Sequence, residues 1–138
     1  VRQEFDGTSP DSHLTLTFEP LTSYVIDGCI WFETTIDDAG FLFDLECGIS
    51  TYNTNLSVIV RDFTTEETRI WESFSDVSWQ RSILDYGESG TIIGCIYIQG
   101  TFTAITAGTL SFSWGQVDSK VDDTTVFAGS YLSAMEIN

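Results

Sequence analysis

The chain has 138 residues, 42% hydrophobic and 14% aromatic, so it can bury a core, and a disordered chain is excluded. Its 21 acidic residues outnumber five basic ones, and the net charge of −16 opposes contact with phosphate backbones and anionic membranes. Nucleic acid and membranes are therefore not expected partners, whereas a basic partner or simple solubility would suit this surface.

The first twelve residues, VRQEFDGTSPDS, are polar and lack the apolar core of a secretory signal. We interpret residues 1–12 as an N-terminal arm and residues 13–138 as one domain. Val1 would permit removal of an initiator methionine, so the chain is either a complete protein made in the cytoplasm or an excised domain. No window reaches the roughly 18 consecutive apolar residues of a membrane helix.

Alternation of apolar and polar residues predicts half-buried strands along most of the chain. The segments LTLTF, FLFDLEC, NLSVIV and TLSFSW all have this period of two. Their apolar faces are Leu14, Leu16 and Phe18; Phe41, Phe43, Leu45 and Cys47; Leu56, Val58 and Val60; and Leu110, Phe112 and Trp114. Turn signals rich in glycine and short polar residues separate the segments.

Two segments, SYVIDGCIWF and TIIGCIYI, are apolar on both faces. In the first segment, one face holds Tyr24, Ile26, Ile30 and Phe32, and the other holds Val25, Cys29 and Trp31. In the second segment, one face holds Ile92, Ile96 and Ile98, and the other holds Ile93, Cys95 and Tyr97. Such strands must be covered on both sides, either by another subunit or by the protein's own loops. From these two strands alone we predict a subunit interface containing Trp31, Ile93, Cys95 and Tyr97.

The stretch from Thr64 to Tyr86 fits two interpretations. TTEET would cap a short helix before Ile70, or it would form the turn of a hairpin whose strands end near Asp62 and begin near Thr68. Surrounding threonine and β-branched residues favour the hairpin. With it, the chain has eight to ten strands at the close turn spacing of a sandwich or closed barrel.

Signals for catalysis are sparse. The single histidine, His13, lies in a turn before the first strand, and no nucleophile, phosphate-loop or zinc motif is present. Cys29, Cys47 and Cys95 lack metal-type spacing; we interpret them as free buried thiols, with one disulfide and one free thiol as the alternative. We therefore expect no enzyme activity, no cofactor and no metal.

Two acidic clusters and the tryptophans allow further alternatives. Asp37 with Asp38, and Asp118 with Asp122 and Asp123, are candidate calcium ligands. Neither cluster matches a calcium loop, so solvated turns are the favoured interpretation. The four tryptophans are many for a chain of this size and would suit a sugar-binding surface, although in strands such residues more often lie in a core or an interface. They are Trp31, Trp71, Trp79 and Trp114.

The segment Thr106–Leu132, TAGTLSFSWGQVDSKVDDTTVFAGSYL, resembles the C-terminal pattern of a group of bacteriophage virion proteins. SYVIDGCIWFETT and GFLFDLE resemble the matching early strands, whereas residues 1–20 and about 53–90 fall outside the resemblance. Proteins of that group serve as capsid decoration or cement subunits and as heads of tail fibres. The likeness lies in structural positions and supplies no catalytic residues.

The ending FAGSYL is also similar to the last strand of trimeric jelly rolls of the tumour-necrosis-factor and complement-head type. This resemblance implies an all-β, antiparallel jelly-roll β-sandwich of about eight to ten strands that assembles as a homotrimer. Gly108 and Gly129 are expected at turns that need a positive φ, and the small residues around Gly129 would let the last strand approach a neighbour closely.

The resemblance implies a capsid decoration or cement protein, a homotrimer that binds the major capsid protein on the outside of a phage shell. Such a protein would be made in the host cytoplasm and end on the virion, with residues 1–12 as the candidate for reaching the shell. The alternative is a receptor-binding or glycan-binding head of a tail fibre. The lack of heptads favours the cement role, and an excised secreted domain of the trimeric class is a weaker third interpretation.

Overall fold

The computed structural model describes residues 14–35, 41–47, 51–63, 68–73, 79–83, 91–115 and 125–137. Its strands are β1 (Thr15–Phe18), β2 (Thr22–Thr35), β3 (Phe41–Cys47), β4 (Thr51–Asp62), β5 (Thr68–Ser73), β6 (Trp79–Ile83), β7 (Thr91–Ala104), β8 (Gly108–Gly115), β9 (Thr125–Val126) and β10 (Tyr131–Ile137). Across the described residues, the prediction of an all-β chain with eight to ten strands is confirmed. Within these ranges, no helix has the length and apolar character needed to cross a membrane.

The strands form two antiparallel sheets. One sheet has the order β1-β8-β3-β6, and the other has the order β10-β2-β7-β4-β5 with β9 also paired to β2. A single hydrophobic cluster contains side chains from both sheets, such as Phe43 and Phe112 from the first and Ile30 and Ile96 from the second. The inner faces of the two sheets therefore pack on one core, as in a β-sandwich.

The period-two patterns of the sequence correctly identify the core faces. Phe32, Phe43 and Phe112 are fully buried, and the rings of Phe43 and Phe112 stack 5.7 Å apart between neighbouring strands β3 and β8. Burial of one such side chain stabilises the fold by roughly 1.5–3 kcal/mol. The same patterns correctly place Leu56, Val58, Val60, Leu110 and Trp114 in the core. In the strand that is apolar on both faces, the buried face is that of Ile92, Ile96 and Ile98.

The hairpin prediction for the middle of the chain is confirmed, and the helix alternative is wrong. Strand β4 ends at Asp62, strand β5 begins at Thr68, and the two pair antiparallel from Leu56 opposite Ser73 to Arg61 opposite Thr68. β-Branched residues in both strands favour this extended pairing. The hairpin places β4 beside β7, where Val58 lies opposite Ile98.

Glycines mark two places where the backbone needs special geometry. Gly100 in β7 has a φ of 151° and lies next to a register shift between β4 and β7 that falls between Tyr52 and Asn55. Gly129 has a φ of 96°, as the sequence predicted. The same prediction for Gly108 is wrong, because this residue begins β8 in regular pairing with Phe18 and is not among the residues with positive φ.

Candidate interaction surface

The outward face of the larger sheet carries the predicted interface residues. Strand register places Trp31 opposite Cys95, and Cys29 opposite Tyr97; Tyr97 in turn lies opposite Ile59. We name the exposed or half-buried apolar side chains at this end of the face the aromatic patch; its members are Trp31, Ile59, Phe63, Ile93, Tyr97, Phe127 and Tyr131. Trp31 is 38% exposed and Ile93 is 44% exposed.

Two rings of the aromatic patch stack on each other, that of Trp31 on β2 and that of Phe63 at the end of β4. The rings of Trp31 and Phe63 lie 5.4 Å apart and 17° from parallel, and the Arg61 guanidinium lies 5.2 Å from the Phe63 ring centre. The Phe63 N–H donates to the Ile93 carbonyl at 2.9 Å, so β4 stays beside β7 for one more residue. These contacts fix the stack on the sheet surface.

The FAGS segment joins β9 to β10 along the same edge of β2. The Phe127 N–H donates to the Trp31 carbonyl at 2.9 Å, and the Trp31 N–H donates to the Ser130 hydroxyl at 2.9 Å. A further bond from the Ser130 N–H to the Phe127 carbonyl, at 3.2 Å, closes the turn around Gly129. The hydroxyl therefore replaces a backbone acceptor where the ladder is interrupted.

Ser130→Ala should lower the free energy of unfolding by about 1 kcal/mol, because the Trp31 N–H loses its acceptor. Urea unfolding measures the loss, and hydrogen exchange should show faster exchange of the Trp31 amide. Ser133→Ala is the matched control, since its hydroxyl donates to the Asp27 carbonyl on the same strand pair at 3.1 Å and leaves no N–H without a partner. Equal losses in the two variants would contradict this role for Ser130.

A disulfide lies beneath the aromatic patch. Cys29 on β2 and Cys95 on β7 are bonded, with Cα atoms 6.3 Å apart. The favoured expectation of free thiols is therefore wrong for this pair, and the disulfide of the alternative interpretation is present. Sequence spacing does not reveal that β2 and β7 are neighbours in diagonal register, and this neighbourhood allows the bond. The side chain of Cys47 lies outside the described residues.

On strands β2 and β7, the two ends of the outward face differ in polarity. Beyond Cys29 and Tyr97, the register continues with Asp27 opposite Gln99 and Val25 opposite Thr101. At the far end the hydroxyls of Ser23 and Thr103 lie 2.7 Å apart, beside a cavity of about 200 Å³ lined by Ser23, Thr101, Phe102, Thr103 and Ile137. Exposed aromatic side chains are thus concentrated at one end of the face, whereas the exposed side chains of Met135 and Ile137 lie at the other end, on β10.

Three of the four predicted interface residues reach the surface together. Trp31 and Ile93 are exposed and Tyr97 is half-buried, whereas Cys95 has no exposed surface and lies below them. The sequence prediction omitted Phe63 and Phe127. The alternation of Ile59, Arg61 and Phe63 extends the outward face of β4 past its end and is the signal that would have identified Phe63.

The Tyr131 phenol donates to the Asp27 carboxylate at 2.9 Å. This hydrogen bond is the main cause that raises the pKa of Tyr131 above 10.0, with smaller contributions from desolvation and the charge of Asp27. The phenol therefore stays protonated at neutral pH. It serves as a neutral donor at the border between the aromatic patch and the polar end.

The structure gives no metal site in the part of the chain that it describes, where no group of three or more histidine, cysteine, aspartate or glutamate side chains is placed to hold an ion. The proposed acidic clusters, Asp37 with Asp38 and Asp118 with Asp122 and Asp123, lie outside that part, as do His13 and the arm of residues 1–12. The side chains of Trp71 and Trp79 are outside it too. Trp114 is buried in the core.

No family model matches this chain, and neither a curated protein nor a solved structure matches it.

Proposed function

We propose that this chain is a structural virion protein, a decoration or cement subunit that binds the outside of a phage shell as a homotrimer. Its resemblance to phage virion proteins motivates the virion role. The aromatic patch is the observation that carries the interaction role, because exposed apolar patches on soluble domains mark docking surfaces. Its partners would be other copies of the chain and the major capsid protein.

The strand pairing supports the jelly-roll part of this proposal. The first eight strands pair as β1 with β8, β2 with β7, β3 with β6 and β4 with β5. A jelly roll, in which one long hairpin is rolled so that its halves lie in two sheets, would have this nested order. Strands β9 and β10 extend the sheet at β2.

The composition of the aromatic patch suits a contact between subunits. Protein interfaces are enriched in aromatic residues and arginine at their centres, and the patch combines Trp31, Phe63 and Tyr97 with the guanidinium of Arg61. Its central strand β7 has Ile93 and Tyr97 on the outward face, on either side of the buried Cys95. A neighbouring subunit would cover this surface and leave the polar end in solvent.

The charge of the chain suits a shell with a basic exterior. A net charge of −16 attracts basic protein surfaces over about a Debye length and repels nucleic acid. Such attraction speeds docking more than it strengthens the final complex. We therefore expect attachment to particles to slow as salt concentration rises.

Addition of the purified protein to undecorated particles tests the proposed function. Sedimentation velocity should give a trimer of about three times 15.4 kDa. Particles that bind the trimer should keep their contents to a higher temperature than bare particles. Trimers that do not bind the particles would overturn the decoration role. A monomer at all concentrations would overturn self-association.

A receptor-binding or glycan-binding head of a tail fibre is the second candidate. The exposed ring of Trp31, stacked on Phe63, is a surface of the kind on which sugar rings stack. Glycan arrays and binding to host cells distinguish the two functions. Binding there without binding to particles would favour the fibre head.

A further inference from the structure

We propose that the outer edge of β10 accepts an extended basic segment of a partner protein as an added strand. This docking mode goes beyond the proposed function and does not depend on a virion role. In the described part of the chain, β10 pairs with β2 on one side and carries no strand on the other. An unpaired edge offers backbone donors and acceptors to another chain.

The N–H and carbonyl groups of successive residues in a strand point alternately to its two sides, and this alternation identifies the backbone groups that face the outer edge of β10. Both the N–H and the carbonyl of Trp31 bond toward the β9–β10 side of β2. Because these directions alternate along a strand, the backbone N–H and carbonyl groups of Cys29, Asp27 and Val25 also point toward β10. The backbone groups of their partners Tyr131, Ser133 and Met135 therefore point back to β2. The backbone groups of Leu132, Ala134 and Glu136 point to the free edge.

The side chains of β10 define the chemistry of the added strand. On the outward face, Tyr131, Met135 and Ile137 are 45%, 65% and 42% exposed. On the other face, Ala134 and Glu136 are also exposed. Side chains beside each other on paired strands contact across the ladder, so a segment that alternates apolar and basic residues fits both faces of β10.

Charge selects a basic partner over a second copy of β10. The charged side chains described on β2 and β10 are Asp27, Glu33 and Glu136, all acidic, and the nearest described cation along this sheet, Arg61, is on β4, three strands from β10. Pairing of two β10 strands would bring acidic edges together within chains of net charge −16. A lysine-bearing or arginine-bearing strand gains attraction instead.

The test uses the full chain and a synthetic probe, the N-acetylated and amidated heptapeptide of alternating valine and lysine. Titration calorimetry measures binding, and hydrogen exchange reports the backbone. We expect the lysine peptide to bind and to slow exchange at Leu132, Ala134 and Glu136. The matched heptapeptide of valine and glutamate should not bind.

Two variants at one position separate the backbone from the side chain. Ala134→Pro removes an N–H that faces the free edge and spares the ladder to β2, so it should weaken binding of the lysine peptide roughly tenfold. Ala134→Thr keeps the N–H and should bind normally. Glu136→Lys supplies a third readout if the proline variant fails to fold, because it should reverse the preference between the two peptides.

Three results would overturn the proposal: no binding of the lysine peptide, equal binding of both peptides, or slow exchange of the three edge amides in the free protein. Slow exchange that is independent of concentration would mean that the chain's own residues already cover the edge. Slow exchange that grows with concentration would assign the edge to a second copy.

Discussion

Gly100→Ala should destabilise the protein by about 3 kcal/mol or more, which corresponds to a loss of roughly 10 °C in melting temperature. The φ of 151° at Gly100 is one that side-chain-bearing residues rarely adopt. A Cβ built there would lie 2.8 Å from the carbonyl carbon of Asn55 and from the Cα of Leu56, and closer still to the Asn55 oxygen. Since these are backbone atoms of β4, relief would require β4 and β7 to separate.

Gly129→Ala is the control that isolates backbone strain. Gly129 also has a positive φ, of 96°, but a Cβ there would meet no atom within 4 Å. We expect a cost of about 1–2 kcal/mol from the strained conformation alone. Chemical denaturation of both variants gives the comparison, and a loss at Gly100 no larger than that at Gly129 would show that the close approach of β4 is relieved without cost.

The faces of the strands were predictable from sequence, because alternation depends on the period of the strand alone. Alternation therefore places Trp31 and Tyr97 on the strand faces predicted to form the interface, although it does not show that their strands are neighbours. The order of strands in the sheets was not predictable in this way, since alternation carries no information about which strands pair. For that reason the sequence allows one disulfide as an alternative but does not identify Cys29 and Cys95 as the pair.

The candidate site was only partly predictable because two of its aromatic residues lie outside regular strands. Phe63 follows the end of β4, and Phe127 lies between β9 and β10. Hydrogen bonds to Ile93 and Trp31 bring their backbones to the sheet, and turn geometry of this kind is set by tertiary neighbours. The FAGS sequence predicts close approach of the last strand through small side chains, but a Cβ at Gly129 would meet no atom within 4 Å. The backbone is instead joined to β2 by the hydrogen bond from the Trp31 N–H to the Ser130 hydroxyl.

Replacement of Tyr97 by aspartate should convert the proposed trimer into a soluble monomer. Tyr97 lies between Cys29 and Ile59 in register, so the new carboxylate would sit within the aromatic patch and lose its hydration when a neighbour covers the patch. An unpaired charge buried in an interface costs several kcal/mol, enough to weaken association by more than about a hundredfold. Sedimentation velocity over a range of concentrations measures the change.

Two further variants give the Tyr97 experiment its specificity. Thr101→Asp introduces the same charge on the same strand and face, but at the polar end, and should remain trimeric. Ile93→Lys changes a side chain that is 44% exposed, so the monomer should fold normally while the aromatic patch again carries a charge. The trimer of this variant should dissociate like that of the aspartate variant.

Trimers of unchanged stability in both patch variants would place the subunit contact elsewhere. Dissociation by Thr101→Asp as well would mean that charge alone, independent of the patch, controls assembly. Because the three variants lie on one strand and differ in their distance from the Trp31 and Phe63 stack, their order of dissociation maps how far the covered surface extends along β7.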